Sequence, residues 1–317
     1  MIKKILLTGG HGFIGHNIVC KLENTEYTPI IYDSRSDYDG SIDQEELRVL
    51  NKLRKQQFNT EVIDYGKDIL DNIFLDSTIK EHQPEIIIHL AAFPRAKVVL
   101  HNPQLGCDVI LKGLLNLLES ARKNNVKRFV YISSSMIYGD FDSNPNSELA
   151  SKNPIEPYGI MKLAGENLVK NYHRLYGLEY TIVRPSAVYG PRDVVDRVLS
   201  KFIVRAKNGD SMRINGEGLK LDFSYVDDVA DGMILAATKP EGVNETFNIT
   251  RGIERPLFEA AHIINDILGI NTPVIIDKND GKYPKRGALD ITKARNLLGF
   301  APKVDIEEGL TYYIRSL

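Results

Sequence analysis

Tyr158-Gly159-Ile160-Met161-Lys162 is the one Tyr-x-x-x-Lys of the 317-residue chain. Spacing of i, i+4 puts both side chains on one face of a helix. Ser133-Ser134-Ser135 closes a strand-like run, and Ser134 lies 24 residues before Tyr158. These residue types suit removal of a proton from a hydroxyl group. A free phenol ionises near a pKa of about 10 and is a poor base at neutral pH. A lysine ammonium nearby favours the phenolate and is expected to move Tyr158 toward the working range, while Ser134 holds the reacting oxygen. Such a match arises by chance in a chain with 15 tyrosines, so its weight comes from its place after that strand.

A second constellation supplies what a hydroxyl oxidation lacks. Thr8-Gly9-Gly10-His11-Gly12-Phe13-Ile14-Gly15 follows the first strand directly and opens a helix. Glycines at 9, 12 and 15 allow a tight turn, close approach of a pyrophosphate and packing of helix on sheet, with free N–H groups facing the phosphates. Asp33 ends the second candidate strand, 24 residues after Gly9. A carboxylate there accepts both ribose hydroxyls of NAD and repels the 2′-phosphate of NADP. Arg35 lies close enough to leave the preference open. The cofactor expected is NAD, and Tyr158 and Lys162 would meet a sugar hydroxyl beside its nicotinamide ring, whose positive charge joins Lys162 in favouring the phenolate.

The elements that must position these groups alternate between strand and helix, the pattern of a parallel α/β sheet. Strands are expected at 4–8, 29–32, 61–64, 86–90, 129–133 and 180–184. Helices are expected at 14–23, 43–57, 73–81, 103–124 and 158–176. The strands are mostly unbroken Ile/Val/Leu runs, as expected where helices cover both faces of a sheet. After Arg184 the rhythm loosens into loops such as 190–196 and 209–221, with shorter helices between them. This suggests a smaller region packed over the carboxyl ends of the strands, where open sheets bind ligands. The division expected is 1–183 for the dinucleotide and the Tyr/Lys pair, and 184–317 mainly for substrate, interleaved with the first.

Composition sets limits. Hydrophobic residues at 43% and charged residues at 26% are ordinary for a globular enzyme. A net charge of −2 gives no global field for nucleic acid or an anionic membrane. No run approaches a membrane span, and Cys20 and Cys107 suit a reducing cytoplasm. The seven histidines show no ligand spacing, so no metal is expected.

These motifs, in this order, resemble the NAD-dependent epimerase/dehydratase family, the extended short-chain dehydrogenases. The resemblance runs from TGGHGFIG at 8–15 through KDILD at 67–71, HLAA at 89–92, SSSMIYGD at 133–140 and YGIMK at 158–162. It continues with RPSAVYGPRD at 184–193, DFSYVDDVADG at 222–232 and LDITKARNLLGF at 289–300. It implies a Rossmann doubly wound parallel sheet with a smaller α/β substrate-binding region at the C-terminus. It assigns Phe13 and Ile14 to the phosphate turn, and Asp68 and Ile69 to the adenine. Leu90, Ala91 and Ala92 line the cofactor, Lys162 meets the nicotinamide ribose, and Pro185 and Ser186 lie near the nicotinamide. Ser134, Tyr158 and Lys162 match the catalytic triad. Helices near 103–124 and 157–176 resemble the pair that forms a homodimer interface in relatives.

Departures from the family pattern bear on the reaction. Dehydratases and decarboxylases often carry an acid two positions after the catalytic Ser/Thr; here that position is Met136, preceded by Ser135. Ala187 stands where UDP-sugar enzymes often have Asn, Leu221 where they have Arg, and Ile110 replaces a common Asn. Lys220, Arg192, Arg197, Arg95 and Arg286 are the cations available to replace the missing one. Ser134, Ser135, Ala187 and Arg192 are assigned to a nucleotide-sugar substrate. The expected reaction is 4-epimerisation through a transient 4-keto sugar. A dehydratase, ketosugar reductase or decarboxylase is the alternative, and a non-catalytic NAD sensor the third.

Overall fold

The computed structural model describes residues 3–37, 40, 42–59, 62–92, 96–278 and 284–317. Glu61 and Arg95 lie outside the described residues. The apolar runs form β1 (Lys3–Thr8), β2 (Tyr27–Tyr32), β3 (Ile63–Tyr65), β4 (Ile86–His89), β5 (Arg128–Ile132) and β6 (Glu179–Arg184). Between them lie α1 (Phe13–Leu22), α2 (Gln44–Lys55), α3 (Asn72–His82), α4 (Ala96–His101), α5 (Pro103–Cys107), α6 (Gly113–Lys123) and α7 (Pro157–Tyr176). Asp43 caps α2 by accepting from the Glu45 and Glu46 N–H groups, and Asp71 caps α3 through Phe74 N–H. The helix expected at 103–124 is interrupted: a π-helical turn at Asp108–Lys112 separates α5 from α6.

Short helices follow Arg184 as expected, together with strands that the loose rhythm hid. They are β7 (Ala187–Tyr189), α8 (Val198–Lys207), β8 (Met212–Asn215), β9 (Lys220–Tyr225), α9 (Val226–Thr238), β10 (Glu245–Asn248) and β11 (Glu254–Pro256). They continue with α10 (Leu257–Leu268), β12 (Val274–Asp277), α11 (Thr292–Leu298) and α12 (Ile306–Arg315). The segment read as a loop at 209–221 therefore contains β8 and the start of β9. These strands are too short for a period to emerge from one sequence.

The main sheet has seven strands in the order β10-β6-β5-β4-β1-β2-β3. Every pairing in it is parallel. Alternate residues of one strand feed two cores. Ile5 and Leu7 of β1 join one apolar cluster with Ile18 of α1 and Met233 of α9, while Leu6 joins another with Leu117 of α6 and Val169 of α7. Both faces are covered, which is why the strands read as unbroken apolar runs. The strand order reverses between β1 and β4, so a crevice opens at their carboxyl ends.

The seventh strand crosses the division at 183/184, because β10 pairs with β6 in the main sheet. The remaining C-terminal elements build a third apolar cluster around Tyr189, Phe202, Phe223, Ile264 and Leu310. α7 and β6 are joined by a buried ion pair. Glu166 of α7 accepts from Arg184 Nε at 2.9 Å and Nη2 at 2.7 Å, and both side chains are 1% exposed. Removing one partner strands the other charge, a loss of about 3–5 kcal/mol. Arg184→Ala is accordingly expected to lower unfolding free energy by about that amount in urea titration. A loss below about 1 kcal/mol would show the pair to be dispensable to the fold.

Candidate active site

The turn after β1 is built for close approach. Gly9 has φ +77°, and a Cβ there would lie 2.8 Å from Ala91 N. A Cβ on Gly15 would lie 2.1 Å from Gly9 O, so only glycine lets α1 settle onto the turn. Gly12 precedes α1 and offers no side-chain cap. The first N–H groups of α1 are left for an anion, as a pyrophosphate requires. Phe13 and Ile14 form that first turn. Asp33, just past β2, is held against it: Oδ2 accepts from His11 N–H at 2.8 Å and Oδ1 from Arg35 N–H at 2.7 Å. The Arg35 guanidinium donates to Asp64 at 2.6 Å. Burial pushes Asp64 up, but hydrogen bonds from His11 and Arg35 hold it down at about 2.

The neighbouring strand ends complete the groove. Leu90 and Ala91 N–H both donate to Thr8 O at 3.0 Å, which carries Ala92 across the mouth of the turn. Asp68 follows β3 and accepts from Leu70 N–H at 2.9 Å. Ile69 is buried against Gly113, where an added Cβ would fall 2.4 Å from its Cδ1. The residues present therefore fit a dinucleotide with a free 2′-hydroxyl.

Ser134, Tyr158 and Lys162 converge at the ends of β5 and α7. Ser133 N–H donates to Val183 O at 2.8 Å and Ser135 N–H to Pro185 O at 2.9 Å, tying the serine turn to Pro185 and Ser186. Ser135 Oγ also donates to Ser186 Oγ at 3.3 Å, and Ala187 opens β7 beyond them. Lys162 is buried, with Nζ donating to Ile132 O at 2.7 Å and lying 5.9 Å from the Tyr158 ring centre. Burial pushes its ammonium down to about 7, against the pull of the Glu166 charge.

The expected lowering of Tyr158 is not realised by the chain's own groups. Burial raises the phenol, and the Arg197 charge and a hydrogen bond with Ser134 only oppose that rise. Lys162 Nζ directs one of its three N–H donors to a backbone carbonyl, Ile132 O.

Of the five cations named from sequence, Arg95 lies outside the described residues and the other four have different surroundings. Lys220 is paired with Glu254 at 2.6 Å. Arg192, expected at the substrate, has φ 65° and turns to α1, where its Nε donates to His16 Nε2 at 3.1 Å. Burial and the Arg54 charge push His16 down to about 3, so it is neutral; its proton sits on Nδ1, 3.0 Å from Gly12 O. Arg197 acts on Tyr158, and Arg286 donates to Met136 Sδ at 3.5 Å. Arg54 went unnoticed in the sequence. It is 4% exposed and donates to His11 O at 3.1 Å and to Arg192 O at 2.7 Å, clamping the phosphate turn to the loop after β7. Its signal was spacing: Leu47, Leu50 and Arg54 share one helical stripe.

Asp33 should set the cofactor preference. Asp33→Ala is expected to narrow the NAD-over-NADP ratio, because the 2′-phosphate is no longer repelled and the ribose loses its acceptor. Calorimetric titration of both nucleotides checks this, and tighter NADP binding by the unmodified protein would refute the assignment.

Comparison with known proteins gives the same answer as this geometry. The model of the NAD dependent epimerase/dehydratase family matches residues 5–250. A putative UDP-glucose 4-epimerase of Methanocaldococcus jannaschii is 36% identical, over 96% of this chain and 95% of its own. The crystal structure of UDP-glucose 4-epimerase with UDP-glucose from Thermotoga maritima superposes with a TM-score of 0.88 at 32% identity, covering 99% of this chain and 98% of that one. UDP-glucuronic acid 4-epimerase from Bacillus cereus, in complex with UDP-glucuronic acid and NAD, gives 0.89 at 28% identity with the same coverage. With its glycine turn, its Asp33 and its Ser134/Tyr158/Lys162 cluster on this sheet, the chain belongs to the NAD-dependent epimerase/dehydratase family.

Proposed function

We propose that the protein is a nucleotide-sugar 4-epimerase working through a transient 4-keto sugar. The observation that carries this reading is Met136. Elimination across C5 and C6, or inversion at C5, needs a group that moves the C5 proton, and an acid two residues past Ser134 would stand there. A thioether cannot do it, whereas a change at C4 needs no proton moved on carbon. The similarity to relatives named as 4-epimerases supports the same outcome.

In this reading Ser134 Oγ holds the C4 oxygen and Tyr158 takes its proton, returning it after the sugar has turned over in the pocket. NAD, when bound, supplies the hydride acceptor and donor, and its positive ring supplies the charge that favours the phenolate. Lys162 is positioned by Ile132 O to meet the ribose beside that ring. Ser135, Ser186 and Ala187 line the sugar side, where small side chains leave room for both faces of the ring.

Tyr158→Phe is expected to reduce turnover at least ~10²-fold, the usual scale for a positioned acid/base, while NAD stays bound. Near-normal turnover in this variant would remove Tyr158 from the mechanism. The outcome itself is read in D₂O with a nucleotide sugar and no added cofactor. The expected product is the C4 epimer with no solvent deuterium on carbon. A 4-keto-6-deoxy product, or deuterium at C5, would overturn the 4-epimerase reading.

A further inference from the structure

The guanidinium of Arg286 has a partner that does not suit it. Its one described hydrogen bond is to Met136 Sδ, a weak acceptor, at 3.5 Å. Among the described residues no carboxylate forms an ion pair with it, although the Glu156 charge acts on it from further off. Of the other cations around the site, Lys220 is paired with Glu254, Arg192 donates to His16 and Arg184 is paired with Glu166. A half-buried cation whose one hydrogen bond among the described residues is to a thioether is costly, and an anion arriving beside it offsets that cost. Burial indeed pushes Arg286 down to about 10.

Its place decides which anion. Met136 N–H donates to Ser134 Oγ at 3.2 Å, so Met136 lies against the hydroxyl assigned to the C4 oxygen. In a six-membered sugar ring C1, which bears the diphosphate, lies across the ring from C4, whereas C5 and its C6 substituent adjoin C4. Gly159 fixes this arrangement from the other side, because a Cβ there would fall 2.6 Å from Met136 O. The helix that carries Tyr158 thus packs directly on the residue that touches Arg286.

We infer that Arg286 binds a carboxylate at C6 of the sugar, which makes nucleotide-linked hexuronates the substrate class. This rests on the 4-epimerase reading only for the placement of C4 at Ser134 and Tyr158. A planar guanidinium takes a carboxylate through two parallel N–H···O bonds, while a neutral hydroxymethyl group takes one weaker bond. The same position that denies the site an acid therefore gives it a cation.

Calorimetry on NAD-loaded protein carrying Tyr158→Phe measures binding without turnover, with UDP-glucuronate, UDP-glucose and UDP as probes. The expectation is UDP-glucuronate at least ~10-fold tighter than UDP-glucose, the scale of one charged hydrogen bond. Arg286→Gln should abolish that difference and leave UDP affinity within about 2-fold. Arg286→Lys should retain part of it, and Met136→Glu, which gives the guanidinium an internal carboxylate, should also abolish it. Equal binding of the two sugars, or no binding of UDP-glucuronate, would overturn the inference. So would a loss of UDP affinity equal to the loss of UDP-glucuronate affinity, since the cation would then belong to the diphosphate. The product formed by unmodified protein is a separate readout: a product other than the C4 epimer defeats the 4-epimerase reading while these affinities still judge Arg286.

Discussion

The ion pair between Glu166 and Arg184 joins the three segments from which the site is assembled. Glu166 lies one helical turn beyond Lys162 on α7, so it fixes the rotation of the helix that presents Tyr158. Arg184 ends β6 immediately before Pro185 and Ser186. Its Nη1 also donates to Tyr138 Oη at 2.9 Å, at the close of the turn that begins at Ser134. Tyr138 Oη in turn donates to Asn248 of β10 at 2.8 Å. Both charges are out of water, so the pair is tolerated only because its geometry is bidentate and its remaining protons are satisfied. Any displacement of α7 relative to β6 would expose that cost at once. The triad is held in place by an electrostatic constraint a full side chain away from the chemistry.

The cofactor side is organised by the sheet in a different way. Parallel strands covered on both faces leave their carboxyl ends as the one edge where turns meet, and the reversal of strand order between β1 and β4 opens the groove. The glycine turn fits there only without side chains, and Asp33 is tied to it through His11 N–H. Arg54 extends this assembly outward, binding the turn and the loop after β7 through carbonyl oxygens alone. That loop also carries Arg192 and leads to Arg197, so the dinucleotide groove and the sugar side share a common strut.

How much of this could be read from the sequence depends on the range of the interactions. The six strands of the first half and the helices between them, α4 excepted, follow from local apolar periodicity, and the glycine turn and Tyr158/Lys162 from spacing along one element. What was not legible depends on contacts between distant segments. β10 is four residues long and enters the main sheet beside β6, which precedes it by more than sixty positions. β8 and β12 pair only with each other. Arg54 looked like one more surface charge on an amphipathic helix, and only its place on the stripe of Leu47 and Leu50 distinguishes it from Arg48, which is exposed. Arg192, Arg197 and Arg286 were equal candidates in sequence, and only the fold sends the first to His16, the second toward Tyr158 and the third to Met136.

Burial also explains why local charge was a poor guide to Tyr158. Withdrawal from water disfavours whichever form of a group is charged, so it raises an acid and lowers a base. Tyr158 goes up while Lys162 and Arg286 come down. A pocket with these shifts resists holding charge on its own account. For the same reason it responds strongly to charge that is brought in, because Coulombic interactions are larger where the effective dielectric is low. A positive ring beside Tyr158 favours its phenolate, and an anion beside Arg286 favours its guanidinium. The residues proposed to transfer the proton and the residue proposed to read the sugar are thus prepared by one physical condition. Specificity and reactivity at this site are two consequences of the same exclusion of water.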